Sequence, residues 1–160
     1  MAVHVLVVEN LPEMYETVRD VLKRYGYKVY VAEGRIQAEG YLKQRRIDAA
    51  IIDVRLGDET DQEDWSGLIL ARDVAGRGIP VIILSAYDKR EDVERAFDVA
   101  PDVAPPYEFV SKNREDWPKT LAAVLQEALG EQEQGRVRRL LRWLRETFPA
   151  VLKWFMRTGR

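Results

Sequence analysis

Ile47-Asp48-Ala49-Ala50-Ile51-Ile52-Asp53-Val54 decides how this chain is read. Its centre is apolar with no alternation, the pattern of a strand buried on both faces, and a carboxylate, Asp53, stands where that strand ends. Other runs share the design. His4–Val8 (His-Val-Leu-Val-Val) leads into Glu9 and Asn10, Pro80–Ser85 (Pro-Val-Ile-Ile-Leu-Ser) ends on a hydroxyl, and Tyr107–Ser111 reaches Lys112. Tyr27–Ala32 completes a set of five.

Between these runs the apolar period changes to that of a helix. Leu11, Met14, Val18, Val21, Leu22 and Tyr25 recur at helical spacing, with Pro12 in the first turn and Gly26 as a stop. Arg35–Arg46 reads as a second helix. Leu68, Ile69, Ala71 and Val74 follow Ser66, a candidate cap, and Asp88–Asp98 is a short charged helix. Leu121, Val124, Leu125, Ala128 and Leu129 form the stripe of a last one behind Asp116. Five strand–helix repeats predict an α/β fold, a doubly wound five-stranded parallel sheet reached by right-handed crossovers.

Composition narrows the chemistry. The 160 residues contain no cysteine and one histidine, His4. Disulfide frameworks, thiolate metal sites, thiol catalysis and multi-histidine metal sites are excluded. His4 reads as a strand-packing residue. No apolar run approaches the roughly 20 residues that span a bilayer, and Met1-Ala2-Val3-His4-Val5 lacks the features of a signal peptide. The expectation is a cytoplasmic location.

In an open parallel sheet the active groups gather at the carboxyl ends of the strands. Here those ends carry Glu9, Asn10, Asp53, Ser85 and Lys112. Two neighbouring carboxylates repel, and a hard divalent cation such as Mg²⁺ relieves that repulsion. A carboxylate beside such a cation can act as a nucleophile toward phosphorus. An ammonium and a hydroxyl then supply donors for the phosphoryl oxygens. In this reading Asp53 is the nucleophile, Lys112 the ammonium, Ser85 the hydroxyl, and Glu9 with Asn10 the metal side.

Val-Leu-Val-Val-Glu-Asn at 5–10, Asp-Ala-Ala-Ile-Ile-Asp-Val-Arg-Leu at 48–56, Pro-Val-Ile-Ile-Leu-Ser-Ala at 80–86 and Phe-Val-Ser-Lys at 109–112 together resemble the receiver domain of two-component response regulators. The resemblance covers roughly residues 3–130 and implies a flavodoxin-like sheet of receiver type. It implies Asp53 as phosphoacceptor, Ser85 and Phe109 as switch residues, and Lys112 as the phosphoryl contact. It also implies Mg²⁺ held by Glu9, Asn10, Asp53 and the backbone carbonyl of Arg55. The donor would be a sensor histidine kinase or a phosphotransfer protein. The protein would be a stoichiometric phosphoacceptor rather than an enzyme.

Three departures stand out. The pair after the first strand is Glu9-Asn10 where the family has two aspartates. One unit charge removed at about 5 Å weakens cation binding by roughly 3 kcal/mol at an effective dielectric near 20, so weak metal affinity is expected. Asn113 stands where proline usually follows the lysine. The loop after Asp53 is long and carries Asp58, Glu59, Asp61, Glu63 and Asp64; Trp65 at its end is either a lid or a core anchor. Three functional readings follow: a phosphorylatable receiver, a degenerate receiver that binds partners without phosphorylation, and an Mg²⁺-dependent phosphohydrolase. Against the last, Arg55 occupies the i+2 position where a second acid would be needed.

The C-terminal stretch differs in kind. Residues 136–160 hold eight basic residues against Glu146 alone, a net +7, which leaves residues 1–135 at −9. The expected organisation is a receiver-like domain over 1–130, a polar hinge at 131–135 and a basic amphipathic helical tail over 136–160, with Val137, Leu140, Leu141, Leu144 and Phe148 on one face. The tail has no pattern of a nucleic-acid-binding domain. Packing on its own domain, a homodimer mate, a partner's groove or an anionic membrane are the surfaces it suits.

Overall fold

The computed structural model describes residues 2–57, 64–86 and 108–147. The strands are β1 (His4–Val8), β2 (Lys28–Ala32), β3 (Ala49–Ile52), β4 (Val81–Ser85) and β5 (Glu108–Ser111). The helices are α1 (Pro12–Arg24), α2 (Arg35–Gln44), α3 (Ser66–Ala75) and α4 (Trp117–Thr147). The expected helix Asp88–Asp98 lies outside the described residues, as do 58–63 of the acidic loop and the tail beyond Thr147.

The five strands form one parallel sheet in the order β2-β1-β3-β4-β5. β1 pairs with β2 on one side and β3 on the other, for example Val7 with Val31 and with Ile51. The strand order therefore reverses direction beside β1, the switch point at which open α/β sheets open a crevice. Burial follows the sequence pattern. Val5, Leu6, Val7 and Val8 are all buried, as are Ala49–Ile52 and Val81–Leu84. Alternate residues serve opposite faces: Leu6, Val8, Ala50 and Ile52 join one core cluster with Ala38 of α2 and Leu68, Ala71 and Val74 of α3.

The ends of the elements have local causes. Pro12 opens α1, and Gly26 closes it with φ +81°, a left-handed conformation that a side chain resists. Strand β3 is shorter than the apolar run suggests; just before it the Asp48 carboxylate accepts from His4 N–H (3.0 Å) and Arg46 Nε (2.9 Å). Ser66 does not cap α3; it is the first helical residue, and Asp64 Oδ1 accepts its N–H at 2.9 Å. Trp65 packs against the core cluster as an anchor.

A polar hinge is expected at 131–135. Those residues instead lie inside the continuous helix α4. Glu131, Gln132, Glu133 and Gln134 are all good helix formers, and each flanking glycine costs only about 1 kcal/mol. The chain divides into two compact units, Met1–Ala128 and Leu129–Arg160. In the first, Leu121, Ala122, Leu125 and Ala128 are buried. No helix among the described residues is long and apolar enough to cross a membrane.

Gly67 sits where α3 meets the exit of β3. Its N–H donates to the Val54 carbonyl at 2.9 Å, and a Cβ there would lie 1.7 Å from the Asp53 carbonyl oxygen and 2.6 Å from that of Val54. Both obstacles are backbone, so nothing flexible can yield. Gly67→Ala is expected to destabilise the fold by about 3 kcal/mol, read as a lowered urea midpoint. A midpoint within error of the parent would show that α3 is free to shift.

Candidate functional site

Glu9, Asp53 and Lys112 are each placed by a strand that has just ended. The Glu9 N–H donates to the Ala32 carbonyl at 3.0 Å, extending the β1–β2 ladder by one residue. The Asp53 N–H does the same toward the Val8 carbonyl at 3.0 Å, and the Lys112 N–H toward the Ser85 carbonyl at 2.8 Å. Parallel pairing carries all three to the same rim of the sheet.

Their side chains meet in a buried ionic triad. Lys112 Nζ donates to Glu9 Oε2 at 2.6 Å and to Asp53 Oδ2 at 2.7 Å. Side-chain exposure is 5% for Lys112, 3% for Glu9 and 2% for Asp53. The other carboxylate oxygens accept backbone N–H groups: Glu9 Oε1 from Leu11 at 3.1 Å and Asp53 Oδ1 from Val54 at 2.7 Å. Charges removed from water are tolerated only when paired and hydrogen-bonded in this way.

One ammonium between two carboxylates leaves one negative charge uncompensated, and both kinds of group respond. Burial pushes the Glu9 carboxyl above its ordinary value of 4.5; the Lys112 ammonium opposes this, and the Asp53 carboxylate adds to the rise. Burial also works against the charge on Lys112, but Asp53 and Glu9 together outweigh it and hold the ammonium above its ordinary 10.5.

The remaining expected residues are placed as follows. Ser85 is buried at the end of β4, paired in register with Ser111. Asn10 follows Glu9, and its Oδ1 is buried with no hydrogen-bond partner. Arg55, two residues after Asp53, is half-buried. Phe109 stands apart from the ionic cluster; it is half-buried against the core. His4 lies at the start of β1, the opposite end of the strand from Glu9. Its ring stacks obliquely on Tyr30, with centroids 5.6 Å apart, a packing role as expected.

The donor chemistry fits a hard divalent cation. Two carboxylates carrying one excess negative charge, together with an amide oxygen that has no partner, form an oxygen-only set of the kind Mg²⁺ prefers. Among the described residues no group of three His, Cys, Asp or Glu side chains gathers to hold a metal; the Asn10 amide, next to Glu9 in sequence, offers a neutral oxygen instead. Asp64, the described acid of the long loop, has its oxygens turned to backbone instead, accepting from Gly57 N–H at 2.7 Å and Ser66 N–H at 2.9 Å.

Two contributors escaped the sequence reading. Gly67 permits the close approach of α3 to the Asp53 carbonyl. Asn113 does more than replace a proline: its Nδ2 donates to the Ala86 carbonyl at 3.0 Å, and its N–H to Ser111 Oγ at 3.2 Å, tying the exit of β5 to that of β4. A glycine just past a polar loop and an asparagine after a lysine are too common to signal either role.

Comparison with known proteins gives a consistent result. The family model for the response regulator receiver domain matches residues 5–113. The heme response regulator HssR of Staphylococcus saprophyticus is 32% identical over 105 residues, 64% of this chain and 45% of that protein. The response regulator GtcR of Aneurinibacillus migulanus is 28% identical over 113 residues, 70% of this chain and 42% of that one. The chain thus spans less than half the length of these curated relatives. Among solved structures, a CheY-like receiver domain protein of Methanospirillum hungatei superposes with TM-score 0.70 at 19% identity, over 84% of this chain and 99% of its own. NtrX of Brucella abortus gives 0.71 at 22%, over 88% and 30%. At those identities the structural likeness speaks for the fold.

The triad sets the pH dependence of stability. Folded Glu9 holds its proton more tightly than the unfolded chain does, so the unfolding free energy should fall as pH rises from 4.5 through the raised folded pKa, and Glu9→Gln should remove that fall. The contribution of Lys112 is complete below 10.5 and is lost as pH climbs through its raised folded value. Lys112→Met leaves two carboxylates buried without a counter-ion and should cost about 3–5 kcal/mol at neutral pH. Urea unfolding across the pH range measures all three effects.

Proposed function

Because this chain belongs to the response regulator receiver domain family, we propose that it is a signalling module that accepts a phosphoryl group on Asp53. The observation that carries this reading is the Lys112 ammonium, 2.7 Å from Asp53 Oδ2. That is where a donor must stand to meet the oxygens of a phosphoryl group joined to this carboxylate.

A carboxylate oxygen of Asp53 attacks the phosphorus of a phosphohistidine on a sensor kinase or phosphotransfer protein. The P–N bond breaks, the imidazole leaves with the electron pair and takes a proton from solvent, and an acyl phosphate P–O bond forms. Lys112 then exchanges its contact with Asp53 for one with a phosphoryl oxygen and keeps its pairing with Glu9. Glu9, Asn10, Asp53 and the backbone carbonyl of Arg55 would hold Mg²⁺, whose charge would offset that of the incoming phosphoryl group. The Ser85 hydroxyl lies on the same rim, and its movement toward the phosphoryl group would be relayed to Phe109. The signal would be a shift in population between two surface states. The module acts stoichiometrically, and a cytoplasmic location suits the reading.

A second reading is favoured by Asn10 specifically. Its neutral amide lowers the charge available to a cation, while Lys112 already satisfies one oxygen of each carboxylate. A module of that kind would bind its partner without phosphorylation.

Intact-mass measurement after incubation with Mg²⁺ and a small phosphodonor separates the two. The first reading expects an adduct of about 80 Da that is absent in Asp53→Asn; a folded protein that never acquires it supports the second. Asn10→Asp restores one charge and should tighten Mg²⁺ binding roughly 10- to 100-fold, followed by titration calorimetry.

A further inference from the structure

The second compact unit begins at Leu129. Helix α4 carries it without interruption as far as Thr147. At about 100° per residue, the helical register places Val137, Leu140, Leu141 and Leu144 on one face. It places Arg138, Arg139, Arg142 and Arg145 on the other. Trp143 falls at the border between the two faces. Val137, an apolar member of the first face, is 50% exposed.

An apolar face beside a strongly cationic one calls for a surface that is apolar and anionic together. From this arrangement we propose that the helix from Arg136 to Thr147 is a docking element for an anionic lipid bilayer, lying in the plane of the interface. Charge complementarity selects this occupant. The stretch 136–160 carries +7, and an anionic leaflet attracts such a segment. The apolar face sinks into the boundary between headgroups and acyl chains, and tryptophan at the border prefers that depth. A second copy of the helix would cover the apolar face but would leave the arginines of both copies on the outer faces without a counter-charge, Glu146 being the sole acid of the stretch. A soluble polyanion would match the arginines and leave the apolar face without a role.

The test uses the full chain with vesicles of phosphatidylcholine alone and vesicles in which about a third of the lipid is phosphatidylglycerol. Co-sedimentation is expected to be at least 10-fold greater with the anionic vesicles and to fall as salt rises. Tryptophan emission should shift to the blue on binding. Arg138→Glu with Arg142→Glu, and separately Leu140→Ser with Leu144→Ser, should each abolish it. Both pairs lie beyond Ala128, so an unchanged urea midpoint establishes that the first unit is intact, and an unchanged far-ultraviolet circular dichroism signal establishes that the helix is. Equal sedimentation with both vesicle types, or none with either, would overturn the proposal. So would retained binding in the leucine pair, the mark of a purely electrostatic polyanion site. A lipid-free doubling of mass abolished by the leucine pair would assign the face to a second copy instead.

Discussion

A lysine ammonium shared between two carboxylates in a nearly dry pocket is the interaction on which the rest of the structure depends. Glu9 and Asp53 stand at the ends of neighbouring strands, where sheet geometry forces them together and burial removes the water that would screen them. Lys112 makes that proximity tolerable, contacting both within 2.7 Å. It arrives from a strand two places away from β3, so the same contact fastens the far edge of the sheet to its centre. The triad is therefore a cross-link that remains one positive charge short of neutrality.

The parallel sheet supplies what the triad cannot supply for itself. Each of the three residues extends a backbone ladder one step beyond its strand, so its position is fixed by hydrogen bonds before its side chain is considered. The departures from the family at Asn10 and Asn113 act at this same rim and in opposite senses. Asn10 removes charge from the side where a cation would sit. Asn113 adds a backbone clasp between the exits of β4 and β5, substituting hydrogen bonds for the stiffness of a proline.

The elements easiest to read from sequence were those whose pattern is set by burial alone. Val5–Val8, Ala49–Ile52 and Val81–Leu84 are apolar at every position because both faces of a parallel sheet are covered. Placing chemistry at the strand ends then required only the topology, and Glu9, Asp53 and Lys112 do converge. What the sequence withheld depends on distance in space. The pairing of Glu9 with Lys112 joins residues 103 positions apart, and the tight fit of Gly67 has meaning only once α3 lies against β3. Helix continues through 131–135 because the four residues between the two glycines all favour it.

The loop after β3 has a consequence of its own. Gly57 and Asp64 are hydrogen-bonded across its mouth, and Asp64 also holds the start of α3. The two described ends of the loop are thus held together. Doubling the length of a loop costs only about 0.6 kcal/mol in closure entropy. With its two ends already tied to each other and to α3, the connection can change in length and charge over evolutionary time, or at an engineer's hand, at little cost to the start of that helix.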